Sequence, residues 1–278
     1  MSQPYQPPRR RLATNRRIFE HVVRDMNYAV FSVVRNRPLG NNQWVAHSLG
    51  SGFFVAPEVF LSANHVFNGP ALPHQDGDFY HLVRVDRPRA TVHLVSNVVS
   101  GGSLHLFPES DMALLQVQGI RDQAFVALDY AEWPIGKEIG VAGYPIPRLG
   151  TSNGQLTYDG LIFRVAKGVV TSAYKSNIQI EGGHVLPNVP VLEVNFLFVP
   201  GNSGGPIFDS ETGRVAGFVH GFSTTKIRER VEQVGPNLAP NLPAGLSTSY
   251  IENLNALYSL AVSIGHCREH LATLGVNL

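Results

Sequence analysis

Residues 199–208 read VPGNSGGPIF. A serine hydroxyl held in a glycine-rich turn can act as a nucleophile if a nearby base takes its proton. The stretch satisfies G-x-S-x-G, the signature of a strand–turn–helix nucleophile elbow. It equally suits a nucleophile turn preceded in the chain by a histidine and then an acid. Upstream, FLSANHVF places His65 just after a strand-like run, and ESDMALLQV places Asp111 just before one. Histidine suits the base, because its unperturbed pKa of about 6.5 lies near working pH. A buried carboxylate behind it would hold one tautomer and stabilise the imidazolium as it forms. The residue types therefore allow Ser203 as nucleophile, His65 as general base and then acid, and Asp111 as orienter. Each also has a plain reading: a structural histidine, an aspartate that forms a turn, and a Gly-Asn-Ser-Gly turn.

The neighbouring elements separate the two orders. An elbow serine needs a helix after it, with the acid and the histidine downstream. Ser203 is followed by Gly204, Gly205 and Pro206, a poor opening for a helix interior. The next run, GRVAGFVHGF, is strand-like, and strands do not alternate with long helices anywhere in the chain. Runs such as YAVFSVV, SGFFVAPEVFLSANHVF, HLVRVDR, MALLQVQ, LIFRVAKGVVTSAY and VLEVNFLF are rich in β-branched and aromatic residues. The chain is thus expected to be mostly β. A helix is expected over 16–26, where Ile18, Phe19, Val22, Val23 and Met26 share one face. From about Ser249 the pattern again reads as helical, with Ile251, Leu254, Leu257, Tyr258 and Leu260 in one stripe. Residues 1–15 read as a basic solvated tail and 224–245 as a long surface loop.

Bulk numbers narrow the function classes. The chain has 278 residues, 44% of them hydrophobic and 15% charged, with 27 glycines and 19 prolines. This suits many short strands joined by turns. The net charge of +1 gives no general attraction to nucleic acid or to an anionic membrane. With one cysteine, Cys267, no internal disulfide can form, which points to a reducing, cytoplasmic setting. Arg16-Arg17-Ile18-Phe19 has the look of a twin-arginine export signal, but Glu20, Arg24 and Asp25 interrupt the apolar segment that should follow.

In this order, GSGFFVA, LSANHVF, SDMALLQV, VAGYP, AKGVVTS and PGNSGGPIF resemble the trypsin/chymotrypsin-like serine proteases. The likeness is greatest to the intracellular and bacterial branch related to the high-temperature-requirement proteases, without a peptide-binding (PDZ) domain. It covers about residues 27–250. It implies two six-stranded antiparallel β-barrels, about 27–125 and 135–250, with residues 1–26 as tail and N-terminal helix and 251–278 as a C-terminal helical segment. It implies a cofactor-free serine endopeptidase acting on extended peptide segments. It further implies an oxyanion hole built from the backbone N–H groups of Gly201 and Ser203. Digestive trypsins carry Asp where this chain has Asn202, so obligatory N-terminal processing is not expected.

The resemblance also implies a substrate pocket lined by the segment before Ser203 and by GFVHGF: Leu197, Val199, Phe218, Val219, His220, Gly221 and Phe222. Apolar neighbours there favour a small or medium apolar substrate side chain. His220 raises an acid-specific alternative, but it lies three residues after Gly217, on the wrong face unless a bulge restores the register. Otherwise it packs behind the triad, near Asp111. HCREH at 266–270 sets His266 and His270 one turn apart without the metalloprotease arrangement, so no metal is expected. The competing reading is a catalytically silent binding or scaffold protein on a protease fold, and a regulatory partner is a further possibility.

Overall fold

A computed structural model describes residues 16–41, 43–69, 73–86, 91–97, 104–117, 123–145, 148–152, 155–159, 161–179, 185–227 and 254–276. The expected tail lies outside the described residues, as does most of the expected surface loop. Helix α1 spans Phe19–Ala29, and α2 is a short helix at Asn64–Asn68. Strands β1 (Val30–Gly40), β2 (Gln43–Ala56), β3 (Val59–Ala63), β4 (Phe79–Asp86), β5 (Thr91–Asn97), β6 (Leu104–Phe107) and β7 (Met112–Gln116) form the first half. They make one antiparallel sheet in the order β5-β4-β1-β2-β3-β7-β6. The second half contains β8 (Glu138–Gly143), β11 (Arg164–Gln179), β12 (Val185–Val194), β13 (Pro206–Asp209), β14 (Val215–Ile227) and β15 (Leu254–Ser263). These close into a six-stranded barrel, while β9 (Arg148–Ser152) and β10 (Gln155–Asp159) pair separately as a hairpin. Helix α3 (Arg268–Thr273) is the last described element. The double-barrel architecture with a helix near each end is as expected, except that the first sheet has seven strands.

Local chemistry accounts for these elements. In α1, Val22, Met26 and Ala29 recur at helical spacing, and all three are buried. Phe19 stacks on Phe208 of the second barrel at 6.2 Å, and Arg17 pairs with Asp25 and donates its backbone N–H to the Glu211 carbonyl. The twin-arginine segment is therefore part of the folded body. Phe31, Phe54 and Phe60 meet edge to face at 5.1–6.5 Å inside the first half. Ile139, Val141, Leu192, Ile207, Val219 and Ala261 pack inside the second barrel.

The C-terminal expectation needs correction. Residues 254–263 are a strand, pairing with β12 on one side and β14 on the other. The apolar stripe that suggested a helix also reads with period two, through Leu254, Ala256, Tyr258, Leu260 and Val262. Short apolar runs are ambiguous between the two periods. The barrel settles the matter, because without β15 both β12 and β14 would expose an unpaired edge. The second barrel therefore extends beyond residue 250, and among the described residues of this segment only α3 and the 3₁₀ turn at Ile264–Cys267 are helical. Likewise, residues 224–227, read as loop, continue β14.

Candidate active site

His65 is the second residue of α2, directly after β3. Asp111 holds the start of that helix. Its Oδ1 accepts the His65 backbone N–H at 3.1 Å, and its carbonyl oxygen accepts the Asn64 N–H at 2.8 Å. Asp111 itself lies in the left-handed region (φ 49°, ψ 33°) at the end of the 3₁₀ turn Pro108–Ser110. Aspartate enters that region more readily than most residues. The chain's C-terminus braces the same turn, since His270 Nε2 lies 3.2 Å from Glu109 Oε1 and its ring stacks on Phe107 at 4.3 Å. In HCREH, His270 thus serves as a brace.

The carboxylate of Asp111 is fully buried and receives two imidazoles. His65 Nδ1 lies 2.9 Å from Oδ2, and His220 Nδ1 lies 2.6 Å from the same oxygen. Burial alone would raise the pKa of Asp111. The charge and hydrogen bond of His65, together with the hydrogen bond of His220, outweigh that and hold it below the ordinary carboxylate range. With Nδ1–H of His65 on the carboxylate, Nε2 carries the lone pair that a hydroxyl proton requires. Among the described residues, His65, Asp111 and His220 form the one group of ligand-type side chains close enough to share a metal. Two ligands of one tetrahedral zinc stand about 3.3 Å apart at zinc–ligand distances near 2.0–2.1 Å. The spacings of 2.6 and 2.9 Å belong to hydrogen bonds.

A β-bulge explains His220. The pairing of β14 with β15 slips between Val219 and Gly221, which leaves His220 as the extra residue. A bulge re-aims a side chain without breaking the strand. Here the ring turns inward to Asp111, and its side chain is 8% exposed. The face that an acid-specific pocket would need is therefore not where this histidine points.

Ser203 lies in a turn between the two halves. Gly201 (φ 94°) and Gly204 (φ 80°) both occupy the left-handed region. First-half atoms hold the turn. Ser51 donates its backbone N–H to the Ser203 carbonyl at 2.8 Å and its hydroxyl to the Gly201 carbonyl at 2.6 Å. The same hydroxyl accepts the Tyr144 N–H at 2.8 Å. Gly204 packs against Ser62 and Ala63 just before His65, and its N–H bonds the Val219 carbonyl just before His220. A Cβ added at Gly50 would lie 2.8 Å from both the Ser203 carbonyl oxygen and the Val66 side chain, so serine turn and histidine helix are close neighbours. The Ser203 hydroxyl makes no hydrogen bond to His65. The backbone N–H groups of Gly201 and Ser203 donate to no described residue, while those of Asn202, Gly204 and Gly205 are all bonded within the protein.

Residues 50–218 match the family described as Trypsin-like peptidase domain. This chain belongs to that family. A probable periplasmic serine endoprotease, DegP-like, of Pseudomonas putida (strain GB-1) is 30% identical over 185 residues, 65% of this chain and 30% of the relative. An uncharacterised protein, y4bJ, of Sinorhizobium fredii (strain NBRC 101917 / NGR234) is 27% identical over 183 residues, 66% of this chain and 23% of the relative. The matches thus span less than a third of these relatives. Among solved structures, the Rv3671c protease from M. tuberculosis in its active form has a TM-score of 0.57 at 15% identity, covering 100% of this chain and 96% of that one. The HtrA-type protease AlgW with a decapeptide has a TM-score of 0.54 at 15% identity, covering 92% of this chain and 66% of that one. Both likenesses are of fold. The expectation of a cytoplasmic setting is overturned, because the curated DegP-like relatives are periplasmic. A single cysteine rules out an internal disulfide, but an oxidising compartment does not require one. No helix among the described residues is long and apolar enough to cross a membrane.

Within this peptidase domain the expected pocket residues divide. Leu197, Val199 and Phe222 are exposed at 57%, 39% and 56%, and Gly221 is half-buried. Phe218 and Val219 are buried in the two cores, and Val219 exchanges both backbone hydrogen bonds with the turn at Gly204 and Gly205. They do not line an open pocket, because Phe218 and Val219 point to opposite faces of β14 and each is packed into one of the two cores. Ser51, Ser62, Arg35 and Asp78 escaped the sequence reading. Only the Gly-Ser-Gly at 50–52 signalled one of them.

Proposed function

We propose that this peptidase domain is a serine endopeptidase working through His65, Asp111 and Ser203. The observation that supports it best is the buried Asp111 carboxylate, which grips both the backbone and the ring of His65 beside the glycine-rich turn of Ser203. In the reaction, Ser203 Oγ attacks the peptide carbonyl carbon while His65 Nε2 takes its proton. The former carbonyl oxygen becomes an oxyanion, and the unengaged N–H groups of Gly201 and Ser203 supply the dipoles that stabilise it. His65 then protonates the leaving amine, the C–N bond breaks, and an acyl-enzyme remains. Water, deprotonated by His65, releases the acid and restores the serine. Catalytic hydrogen bonds often close only when substrate binds, so the cycle does not require one between Ser203 and His65 beforehand.

The substrate is an extended peptide segment bound beside Gly221 and Phe222. Exposed Leu197, Val199 and Phe222 favour apolar side chains before the cut, and the inward turn of His220 counts against acid specificity. Asn202 is neutral, so no new amino terminus is needed to pair with it. The mass-verified intact chain should be as active as a trimmed one. The principal test is labelling with a serine-directed fluorophosphonate. The intact chain should take one label and Ser203→Ala none, and an unlabelled intact chain would overturn the reading. A peptide library digested alongside Ser203→Ala then reads specificity. The competing reading is a protease fold that binds without cutting or waits for a partner, and the same labelling separates the two.

A further inference from the structure

We propose that His220 is a positioning residue of the reaction: its Nδ1–H holds the Asp111 carboxylate in the orientation that serves His65. This rests on the endopeptidase reading above. The His65 ring reaches both Asp111 oxygens, Oδ2 at 2.9 Å and Oδ1 at 3.1 Å, so the ring alone does not fix which oxygen serves it. Oδ1 accepts the His65 backbone N–H at 3.1 Å, which ties the carboxylate to the helix. Oδ2 accepts the His65 ring at 2.9 Å and the His220 ring at 2.6 Å. Without His220 the carboxylate would keep only bonds to residue 65, from backbone and ring of the same residue. It could then rotate about its Cβ–Cγ bond and follow the imidazole. Among the described residues, His220 supplies the one side-chain anchor from another element, β14, so rotation is opposed from a second direction.

Three observations show that this contact is built into the fold. The bulge between Val219 and Gly221 costs a ladder position and places only this side chain. The ring stands edge-on to His65, with centroids 5.6 Å apart and planes 82° apart, so it shares the carboxylate without stacking against the base. The residue immediately before it is bonded through its carbonyl to the Gly204 N–H, next to the nucleophile. One strand segment thus touches the acid through a side chain and the serine turn through its backbone. The neighbours facing the pair are His65 from α2 and Asp111 from the end of the 3₁₀ turn. Asp111 remains an acceptor towards both rings, so His220 must present a proton at Nδ1.

The test compares His220→Leu, which removes the donor, with His220→Asn, which keeps an N–H at the δ position. With a peptide cut by the wild type, the Leu variant should lose about 10- to 100-fold in kcat, against the roughly 10⁴-fold typical of losing the orienting acid's function. KM should stay within about threefold, because no substrate contact is removed. The Asn variant should recover at least about tenfold of that loss. Proton NMR provides a signature independent of turnover. Two low-field N–H resonances, one for each imidazole on Asp111, should be present in the wild type and one in His220→Leu. A Leu variant with kcat within threefold of wild type overturns the positioning role, as does a wild type with one low-field resonance. If the Leu variant does not fold, His220→Asn is compared with His220→Gln, whose N–H sits one bond further out. Equal kcat for these two overturns the proposal. A wild type that takes no fluorophosphonate label overturns instead the endopeptidase reading on which it rests.

Discussion

Replacing Gly204 with alanine tests how tightly the serine turn is wedged between the two halves. Gly204 has φ 80°, and a Cβ there would overlap Ser62 Oγ and the Ser51 carbonyl oxygen and lie 2.8 Å from the Ala63 nitrogen. Left-handed backbone costs an ordinary residue roughly 1–2 kcal/mol. Ser62 Oγ cannot simply rotate aside, because it donates to the Ser51 carbonyl at 2.6 Å, and that bond contributes about 1 kcal/mol. Ser51 and Ala63 belong to β2 and β3 and are held by the sheet, so the overlap must be relieved by moving the turn. Overpacking of this kind costs about 1–3 kcal/mol. The expected loss is therefore about 3–6 kcal/mol. Gly136 is the control, since its φ is 84° and a Cβ there meets nothing within 4 Å. Gly136→Ala should cost only the backbone share, about 1–2 kcal/mol. Urea unfolding of the three proteins measures both values. Fluorophosphonate labelling adds a second readout, because a shift of about 1 Å in the nucleophile can cost about 100-fold in rate. If Gly204→Ala loses no more stability than Gly136→Ala, the close backbone approach is wrong, and with it the account of how Ser203 is held.

Asp111→Asn should reduce kcat by about 10⁴-fold, because an amide nitrogen at either position would face an N–H donor and drive His65 into the other tautomer. Peptide hydrolysis measures it, and a loss under tenfold would refute the assignment. Asp78 is buried between Arg35 and Arg37. Burial would raise its pKa, but the Arg37 bonds at 2.8 Å, with help from the Gln75 N–H and the Arg35 charge, bring it below the usual range. A lowered native pKa stabilises the fold above the unfolded value, near 3.9, and that stabilisation is lost as pH falls through the native value. Asp78→Asn should therefore cost about 3–5 kcal/mol at pH 7, the penalty for stranding buried charge, and progressively less below pH 4. A pH-independent difference in urea titrations would refute this. Cys267 is fully buried, and burial pushes its thiol pKa upward, so a disulfide reagent should react only at the rate of unfolding. Rapid stoichiometric reaction in native buffer would contradict its placement.

What could be read from the sequence depended on whether the signal was local. FLSANH carries its own context, a strand of buried residues ending where the helix with His65 begins. ESDMALL likewise shows an aspartate at the opening of a strand. Helix α1 announced itself through Val22 and Met26, although its end came three residues later than expected, at Ala29. By contrast, Leu254–Ser263 fits either period, and only two waiting strand edges decide it. His220 was ambiguous for a related reason. Parity along a strand fixes a side chain's face only when no residue is inserted, and the inserted residue here is the histidine itself. Phe218 and Val219 were expected in the pocket from the resemblance, but they point to opposite faces of β14 and each is buried in a different core. The Arg35–Asp78 pairing joins residues from β1 and a distant loop, and no local pattern signals a buried charge with a remote partner.

These long-range contacts explain why the site belongs to neither half alone. The second half supplies Ser203, Gly201 and His220, and the first supplies His65 and Asp111. Yet the serine turn draws two of its fixing hydrogen bonds from Ser51, in β2 of the first half. Ser51 in turn is held by the Tyr144 N–H at the end of β8 and, through its carbonyl, by Ser62 in β3. Two of the candidate groups are thus held partly by the half that does not carry them: Asp111 by His220, and Ser203 by Ser51. A barrel folded without its partner could present a serine or a histidine, but the geometry that makes either reactive arises only when β2 meets the turn at 201–204. For the proposed endopeptidase, docking of the two halves is therefore the step that would assemble the site, and residues 50–51 and 220 are where that docking is converted into orientation.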